Sequence, residues 1–312
     1  MASFRARVLK ILLKVSIRSV FQGDTVSLPR VRNRMAFVDA LFRKHPRGAK
    51  VTSVDADGVP ADWVIAEGVS VDGENSGRVL LYIHGGGFSI RMPRLYAKFA
   101  ADLGKRLNAR VLMVDYRLAP EHPFPAAPDD CLTVYRWLLQ QSGVEPGQVM
   151  IAGDSAGGNL TLVTMLMAKQ AGLPMPAAGW AISPGVDCDW SHSSLEELQA
   201  IDPMFSTHAL DIMAPYFGDS DRSDFRISPV NGDLAGLPPL LIEAGGDEMF
   251  REHPAMMARR ARAAGVEVKD RIWEGMPHVF QAFPFLPEAK KARRRACEFL
   301  LSHNKTVPAP TR

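Results

Sequence analysis

Short apolar runs alternate with helical stretches along most of this chain. The apolar runs of strand length cover residues 50–54, 63–66, 79–83, 111–114, 149–152, 179–182, 240–243 and 266–272. The stretches with helical periodicity cover residues 94–106, 128–140, 159–169, 253–264 and 288–303. The first two runs flank the turn-forming residues Asp55 to Gly58, which predicts an antiparallel hairpin at the start of the sheet. The alternation that follows predicts an α/β fold with a mostly parallel sheet and helices on both faces.

One long interval interrupts the alternation. More than fifty residues separate the run that ends near Ser183 from the one that begins at Leu240, which is too long for a bare loop. We expect a helical insertion there, above the carboxyl edge of the sheet, which forms a lid together with the N-terminal segment. The expected division is an N-terminal part of the cap, a core in two parts, a cap insertion and a tail, at residues 1–50, 51–185 and 235–305, 186–234, and 306–312.

The N-terminal segment has the pattern of an amphipathic helix. Its apolar residues at helical spacing are Phe4, Val8, Ile11, Leu12 and Val15. Arg7 and Lys14 follow one edge of this stripe. Packing on its own domain is the favoured interpretation, and binding to a membrane surface is the alternative. Lys10, Lys14 and Arg18 interrupt the apolar core that a secretory signal needs, so we interpret the segment as mature sequence.

Composition and charge restrict the partners. The formal net charge of +3 is small for 312 residues, which gives no reason to expect a nucleic-acid partner, although basic residues crowd the first fifty positions. Cys131, Cys188 and Cys297 are odd in number and far apart, which disfavours disulfides and a zinc site. A reducing, cytoplasmic location fits this cysteine usage best. No apolar run is long enough to span a bilayer, so we expect no stable membrane insertion.

A candidate nucleophile lies on a predicted turn between a strand and a helix. The residues Gly153 to Gly157 read Gly-Asp-Ser-Ala-Gly and place Ser155 directly after the run 149–152. Glycines at both ends permit a turn so tight that the serine hydroxyl is exposed at the edge of the sheet. This five-residue pattern is weakly specific alone, because an ordinary glycine-rich turn has the same form.

A second glycine-rich segment supplies candidate donors for an oxyanion. His84 to Phe88 reads His-Gly-Gly-Gly-Phe and follows directly on the run 79–83. Three glycines let the backbone approach a ligand closely, so the N–H groups of Gly86 and Gly87 can join that of Ala156 in an oxyanion hole. A phosphate-binding loop is disfavoured, because the Lys-Ser/Thr of a P-loop is absent.

Position in the chain selects the base and the acid. Where a serine lies on such a turn, the acid and then the histidine follow on loops after later strands. His278 follows the last predicted strand and is the expected base. The loop after residues 240–243 offers Asp247 as first choice for the acid, with Glu248 as its immediate rival and Glu243 third.

Three segments, in order, closely resemble the bacterial hormone-sensitive-lipase family of α/β-hydrolase esterases. They are His84 to Phe88, residues 115–127, and Gly153 to Gly158, within a resemblance that spans about residues 79–280. The resemblance implies an eight-stranded α/β-hydrolase fold with a cap, and carboxylesterase activity on short to medium acyl chains. The segment from Ser183 to Asp187 is also similar to the family and is interpreted as structural. Many members have Asp-Pro-Leu where this chain has Asp-Glu-Met at 247–249, which leaves the acid open.

The resulting hypothesis is ester hydrolysis through an acyl-serine, with no metal and no cofactor, on a small-molecule ester. Arg117 and Glu121 are expected to pair in a supporting loop. The residues expected to line an apolar acyl pocket are Phe88, Trp190, Met204, Phe205, Met213, Tyr216 and Phe217. Amide, carbamate or lactone hydrolysis, a true lipase, and a ligand-binding protein without turnover are the alternatives. The oligomeric state stays open, and a homodimer is compatible with the sequence.

Overall fold

The computed structural model describes residues 2–21, 26–42, 46–70, 77–141, 143–190 and 195–304. Within these ranges one sheet contains eight strands: β1 Ala49–Ala56, β2 Val59–Ala66, β3 Val79–Ile83, β4 Arg110–Val114, β5 Val149–Asp154, β6 Ala178–Ile182, β7 Leu240–Gly245 and β8 Val268–Trp273. Their order across the sheet is β1-β2-β4-β3-β5-β6-β7-β8. The pairs β1 with β2 and β2 with β4 are antiparallel, and the other neighbouring pairs are parallel.

The central strands are buried along their whole length. Every residue of β3, β5, β6 and β7 is buried, as the apolar runs predict for strands covered on both faces. The predicted hairpin joins β1 to β2, and its turn residues Asp57 and Gly58 have φ angles of 56° and 86°. Positive φ at both central residues is typical of a tight hairpin turn. The predicted eight-stranded, mostly parallel sheet is confirmed.

Helices cover both faces of this sheet. Those in the described ranges are α1 Phe4–Ser16, α2 Leu28–Ala40, α3 Pro93–Leu107, α4 Ala126–Leu139, α5 Ala156–Gln170, α6 Leu195–Leu198, α7 Ala214–Phe217, α8 His253–Ala263 and α9 Pro287–His303. Leu81 and Ile83 of β3 pack in a core with α4, α5 and α8, whereas Leu80 and Tyr82 pack with α3 and α9. None of the helices in this part of the chain is both long and apolar enough to cross a bilayer. The expected tail at 306–312 lies outside the described residues.

The N-terminal segment and the insertion after β6 pack on each other. Arg18 donates hydrogen bonds to the carbonyl oxygens of Gln199 (2.8 Å) and Phe205 (2.5 Å). The Ser206 hydroxyl donates to the carbonyl oxygen of Phe21 (2.9 Å), and the rings of Phe21 and Phe205 are 5.4 Å apart. We call these two segments the cap; in the described part of the chain they comprise residues 4–21 and 26–42 and residues 195–234. The two segments are held together by these hydrogen bonds and by the contact between the two phenylalanine rings.

The expected ion pair between Arg117 and Glu121 is wrong. Arg117 instead pairs with Asp130 of α4, at 2.7 Å between Nη2 and Oδ1. Glu121 pairs with Arg32 of α2, at 2.6 Å between Oε1 and Nη1. Arg32 also donates to the carbonyl oxygen of Ala119 (2.6 Å), so this arginine fastens α2 to the core. Both partners come from other elements, which local spacing does not reveal.

The turn between β5 and α5 is packed directly against β3. A side chain at Gly157 would collide with the carbonyl oxygens of Ile83 and His84, and one at Gly153 would collide with the carbonyl oxygen of Gly157. Backbone atoms on both sides leave no direction in which a methyl group can be accommodated. The two glycines of the sequence pattern are therefore needed for close approach between the turn and the neighbouring strand.

We expect Gly157→Ala to lower the free energy of unfolding by about 1–3 kcal/mol, because the added methyl must push the turn away from β3. Urea denaturation followed by circular dichroism measures this change. Gly185→Ala is the control, since a Cβ there would lie 3.8 Å from the Cys188 sulfur, which is ordinary contact. Equal stability of the two variants would contradict the packing described here.

Candidate active site

Ser155 occupies a strained backbone position at the carboxyl end of β5. Its φ and ψ angles are 54° and −120°, a conformation that costs a residue other than glycine about 1–3 kcal/mol. The Ser155 N–H donates to the carbonyl oxygen of Ile182 (2.8 Å), and the Ser155 carbonyl accepts from the N–H of Asn159 (3.0 Å). These bonds hold the turn, and Ser155 lines a cavity of the described part of the chain.

A buried carboxylate fixes the glycine loop beside this serine. Asp154 Oδ1 accepts from the Tyr82 hydroxyl (2.6 Å) and from the N–H of Gly85 (3.1 Å), and Oδ2 accepts from the Tyr96 hydroxyl (2.8 Å). Burial raises the pKa of the Asp154 carboxyl, although the two tyrosine hydrogen bonds oppose that rise. The residue between Gly153 and Ser155 therefore connects the serine turn to the loop after β3.

His84 is a structural member of the glycine loop. Its ring stacks on Tyr116 with centroids 4.4 Å apart, and the Tyr116 hydroxyl donates to the His84 carbonyl oxygen (2.9 Å). Its Nδ1 lies 2.7 Å from the carbonyl oxygen of Gly85. Burial lowers the pKa of His84 to about 4, so the imidazole is neutral at physiological pH and holds the loop without charge.

Three backbone N–H groups beside Ser155 are available to a ligand. Those of Gly86, Gly87 and Ala156 donate no hydrogen bond to any residue in the described ranges. Gly86 has a φ of 125°, and a side chain there would collide with the carbonyl oxygen of Ile90. Gly87 has a φ of 59°. Since Ala156 is the first residue of α5, its N–H belongs to the positive end of the helix, which favours an anionic oxygen.

His278 lies on the loop after β8 and lines the same cavity as Ser155. Its side chain is 3% exposed and contacts the rings of Phe205 and Phe250, with centroids 5.1 and 5.6 Å away. Nε2 makes no hydrogen bond to any described residue. Nδ1 lies 3.4 Å from Oε1 of Glu248, an ion-pair contact longer than a well-formed hydrogen bond. The structure thus brings the predicted serine and histidine to one cavity.

Glu248, and not Asp247, is the carboxylate beside the imidazole. Its other oxygen, Oε2, accepts from the Ser183 hydroxyl (2.8 Å) and from the N–H of Gly245 (2.9 Å). The Ser183 hydroxyl accepts in turn from the N–H of Val279 (3.2 Å). One buried serine therefore connects the loops that follow β6, β7 and β8, and it orients the Glu248 carboxylate toward His278.

The first choice for the acid is corrected by this geometry. Asp247 faces away from the cavity and pairs with Lys10 of α1, at 2.5 Å between Oδ2 and Nζ. Glu243, the third candidate, accepts from the Trp273 indole N–H (2.9 Å) within the sheet, and burial raises its pKa to about 7. The alternative named beside Asp247 in the sequence is the one that the fold brings to the imidazole.

Asp202 joins the cap to the loop that carries Glu248, and the sequence did not reveal it. Oδ1 accepts from the N–H of Met204 (2.7 Å), and Oδ2 accepts from the N–H of Met249 (2.9 Å). Burial raises the pKa of Asp202 to about 6. The sequence shows only an Asp two residues before an apolar pair, which is a common signal for a turn.

The acidic surroundings of His278 favour its protonated form. Burial alone lowers the pKa of the imidazole, but the negative charges of Glu248, Asp202 and Asp154 outweigh it, and the net pKa is raised above 6.5. Opposite charges near a histidine stabilise the imidazolium. A neutral His278 can therefore accept a proton, and the charged form that results is stabilised by its neighbours.

The cavity has a volume of about 560 Å³ and is lined mostly by apolar side chains. Met204, Phe205 and Met213 of the insertion line it, as the sequence predicts. The N-terminal part of the cap contributes more than expected. Its lining residues include Leu13, Ile17, Phe21, Met35 and Val38.

Four aromatic residues expected in the pocket lie elsewhere. Phe88 stacks on Tyr216 with centroids 3.9 Å apart, and Phe217 packs against both rings. Trp190 stacks on Phe250 at 5.8 Å. All four therefore pack against other aromatic side chains and do not line the cavity. Aromatic side chains stabilise a protein core as readily as they form a ligand-binding pocket.

The sheet order and the serine turn define an α/β hydrolase. A family model described as alpha/beta hydrolase fold matches residues 80–282. An acetyl-hydrolase of Streptomyces hygroscopicus is 39% identical over 226 residues, which cover 72% of this chain and 75% of that protein. An esterase of Acinetobacter venetianus is 32% identical over 294 residues, which cover 93% and 94%. A hormone-sensitive lipase structure from a metagenome library has a TM-score of 0.88 at 36% identity and covers 98% of this chain and 100% of that one.

The chain belongs to the α/β-hydrolase family, in its hormone-sensitive-lipase group of esterases. The resemblance of the three sequence segments is thereby confirmed. The protein is a carboxylic ester hydrolase.

Proposed function

We propose that the protein hydrolyses small carboxylic esters through an acyl-serine, with Ser155 as nucleophile, His278 as base and Glu248 as the acid that orients the base. One observation carries the proposal. Ser155 and His278 line a single apolar cavity, while Glu248 approaches the far nitrogen of the same imidazole. Nucleophile, base and orienting carboxylate are the groups that acyl transfer requires.

In the first half of the reaction, Ser155 Oγ attacks the ester carbonyl carbon while Nε2 of His278 takes the hydroxyl proton. The carbonyl oxygen becomes an oxyanion, which accepts hydrogen bonds from the N–H groups of Gly86, Gly87 and Ala156. The bond from carbon to the alcohol oxygen then breaks. The imidazolium returns its proton to that oxygen, and the alcohol leaves.

In the second half, water attacks the acyl-serine. Nε2 of His278 takes a proton from the water, an oxyanion forms again at the same donors, and the bond between the acyl carbon and Ser155 Oγ breaks. The proton returns to Oγ, and the carboxylic acid leaves. Glu248 keeps Nδ1 protonated throughout and stabilises the imidazolium that exists in each half.

The lining and the volume of the cavity support the proposal that the substrates carry acyl chains of short to medium length. Its wall is apolar at Met204, Phe205 and Met213, which line the same cavity as Ser155, and we expect the acyl chain to extend along them. A volume of about 560 Å³ lies within the range of small-molecule sites. Buried CH₂ groups each favour binding by about 0.8 kcal/mol, so affinity grows with the chain until the cavity is filled.

Ser155→Ala should reduce the turnover of p-nitrophenyl butyrate by about 10⁶-fold, as for other serine-hydrolase nucleophiles. Release of p-nitrophenol measures the rate, and a fluorophosphonate probe should label the wild type but not the variant. Ser53→Ala, on an exposed position of β1, is the control and should keep both properties. Labelling of a different serine in the wild type would refute the nucleophile.

Glu248→Gln should lower kcat by about 10⁴-fold, because an amide does not maintain the required imidazole tautomer. Asp247→Asn is the matched control and should stay within a few-fold of the wild type. A larger loss in Asp247→Asn would restore Asp247 as the acid.

The activity should also depend on pH. Only neutral imidazole is a base, so kcat/KM should fall as the pH drops through the raised pKa of His278. The midpoint of this fall should move to lower pH in Glu248→Gln, since a negative charge beside His278 is lost.

Along a p-nitrophenyl series, kcat/KM should rise by up to about fourfold for each added CH₂ and then fall at long acyl chains. Met204→Ala should move the maximum toward longer chains, because the lining residue is shortened. Met175→Ala is the matched control, since Met175 is also half-buried but does not line the cavity. An unchanged maximum in Met204→Ala would show that the acyl chain binds elsewhere.

A further inference from the structure

The large apolar side chains that are exposed are concentrated on one part of the molecule. Nine such residues occur in the described ranges, and all but Ile201 belong to α1, to α2 and its end, or to the loop before α9. We call these eight the apolar patch: Phe4, Val8, Ile11, Leu12, Val15, Phe37, Leu41 and Phe285. Single exposed apolar residues need no explanation, whereas a cluster of this kind marks an interaction surface.

The patch on α1 faces away from the protein. Ala6, Leu9 and Leu13 are buried against Trp273 and its neighbours in a separate apolar cluster. Positions 4, 8, 11, 12 and 15 fall in the opposite sector of the helix, since successive residues turn by about 100°. Phe4, Ile11 and Val15 are 77%, 65% and 72% exposed. The helix is therefore apolar on two sides, and its own domain covers only one of them.

Basic residues are concentrated in the part of the sequence that carries most of the patch. The first fifty residues contain twelve Lys and Arg but only two Asp and no Glu, a net charge of +10 in a chain whose total is +3. Helix α1 has no acidic residue. Arg7 and Lys14 lie on one edge of its exposed stripe, and neither has an ion pair with a residue that the structure describes. Lys10 is different, because it is held by Asp247.

The patch also borders the active-site cavity. Helix α1 presents Ile11, Leu12 and Val15 outward, whereas Leu13 and Ser16 of α1, and Ile17 directly after it, line the cavity. Helix α2 likewise presents Phe37 outward and lines the cavity with Met35 and Val38. Phe285 does both. A surface that contacts the patch therefore lies next to the cavity wall that these helices form.

We propose that the apolar patch docks on an anionic phospholipid bilayer. Helix α1 lies in the plane of the membrane, with its exposed stripe among the upper acyl chains and Arg7 and Lys14 among the phosphate groups. Anionic lipids attract basic residues next to an inserted apolar face. Docking places the cavity wall formed by α1 and α2 at the bilayer, where esters that partition into lipid are concentrated. It does not depend on the chemistry at Ser155.

Charge favours a lipid surface over a second copy of this chain. A symmetric dimer through the patch would bring two copies of Arg7 and of Lys14 into one interface, where α1 has no acidic residue to pair with them, because the same surface occurs on both sides of a two-fold interface. Like charges so juxtaposed oppose association. An anionic bilayer offers the opposite charge across the whole patch, together with an apolar layer for the aromatic and aliphatic side chains.

Vesicle flotation with the full-length Ser155→Ala variant tests the proposal without hydrolysis of the lipid. The protein should float with vesicles of phosphatidylcholine and phosphatidylglycerol and remain unbound with phosphatidylcholine alone. Binding should weaken at 1 M salt, where the screening length falls from about 10 Å to about 3 Å. No flotation with the anionic vesicles, or equal flotation with both kinds, would overturn the proposal.

Two double variants in the same background separate the two contributions. Ile11→Ser with Val15→Ser should abolish flotation, and Arg7→Ala with Lys14→Ala should weaken it by about 25-fold, about fivefold for each charge near the surface. Lys105→Ala with Arg136→Ala, exposed basic residues on α3 and α4, is the matched control and should float as before. With Ser155 restored, each double variant should keep its rate on soluble p-nitrophenyl acetate.

Binding that survives both patch variants would overturn the proposal. Light scattering after size-exclusion chromatography tests the competing occupant. A dimer in the unsubstituted protein that becomes a monomer in Ile11→Ser with Val15→Ser would assign the patch to a second copy of this chain and would also overturn the lipid assignment.

Discussion

The arrangement of the active site depends on one buried carboxylate, that of Asp154. It receives the hydroxyls of Tyr82 and Tyr96 and the N–H of Gly85, and so it joins β5, β3 and α3 at one point. Buried charge is costly unless several donors satisfy it, and here three donors converge. Since Ser155 follows Asp154 directly, the position of the proposed nucleophile and the position of the glycine loop are set by the same group.

A second connection holds the opposite side of the cavity. Ser183 accepts from Val279 and donates to Glu248, so three loops from three neighbouring strands share one hydroxyl. Ser183 itself has a φ of 46°, a left-handed conformation that its buried contacts must maintain. Serine and histidine come from the two groups of loops fixed in this way. The geometry of the proposed site therefore depends on loops at the ends of neighbouring strands, which these buried hydrogen bonds connect.

The features that could be predicted from the sequence are those that short local patterns encode. The strands follow from apolar runs, Ser155 and Gly86 from short glycine patterns, and His278 from its order in the chain. Asp247 and Glu248 could not be separated, because they are adjacent and only the distant Ser183 and the N–H of Gly245 decide which one turns inward. The pocket was predicted only in part for a similar reason.

Aromatic residues show that reason clearly. Phe88 and Tyr216 are residue types that often line a ligand-binding pocket, yet their rings stack on each other in the core. Which of two apolar faces meets the cavity depends on how the cap folds over the sheet, and contacts such as Arg18 with Phe205 decide that. Periodicity identifies an apolar face of α1 but not whether protein or solvent covers it.

The ion pair between Lys10 and Asp247 connects the first helix to the loop that carries Glu248. Asp247 immediately precedes the carboxylate beside His278, and Lys10 supplies its only ion pair among the residues described. Removal of α1 would leave that aspartate uncompensated and would uncover Trp273, Met276 and Phe280. A chain shortened at this end would therefore lose both an apolar layer beneath the loop that carries His278 and part of the cavity wall.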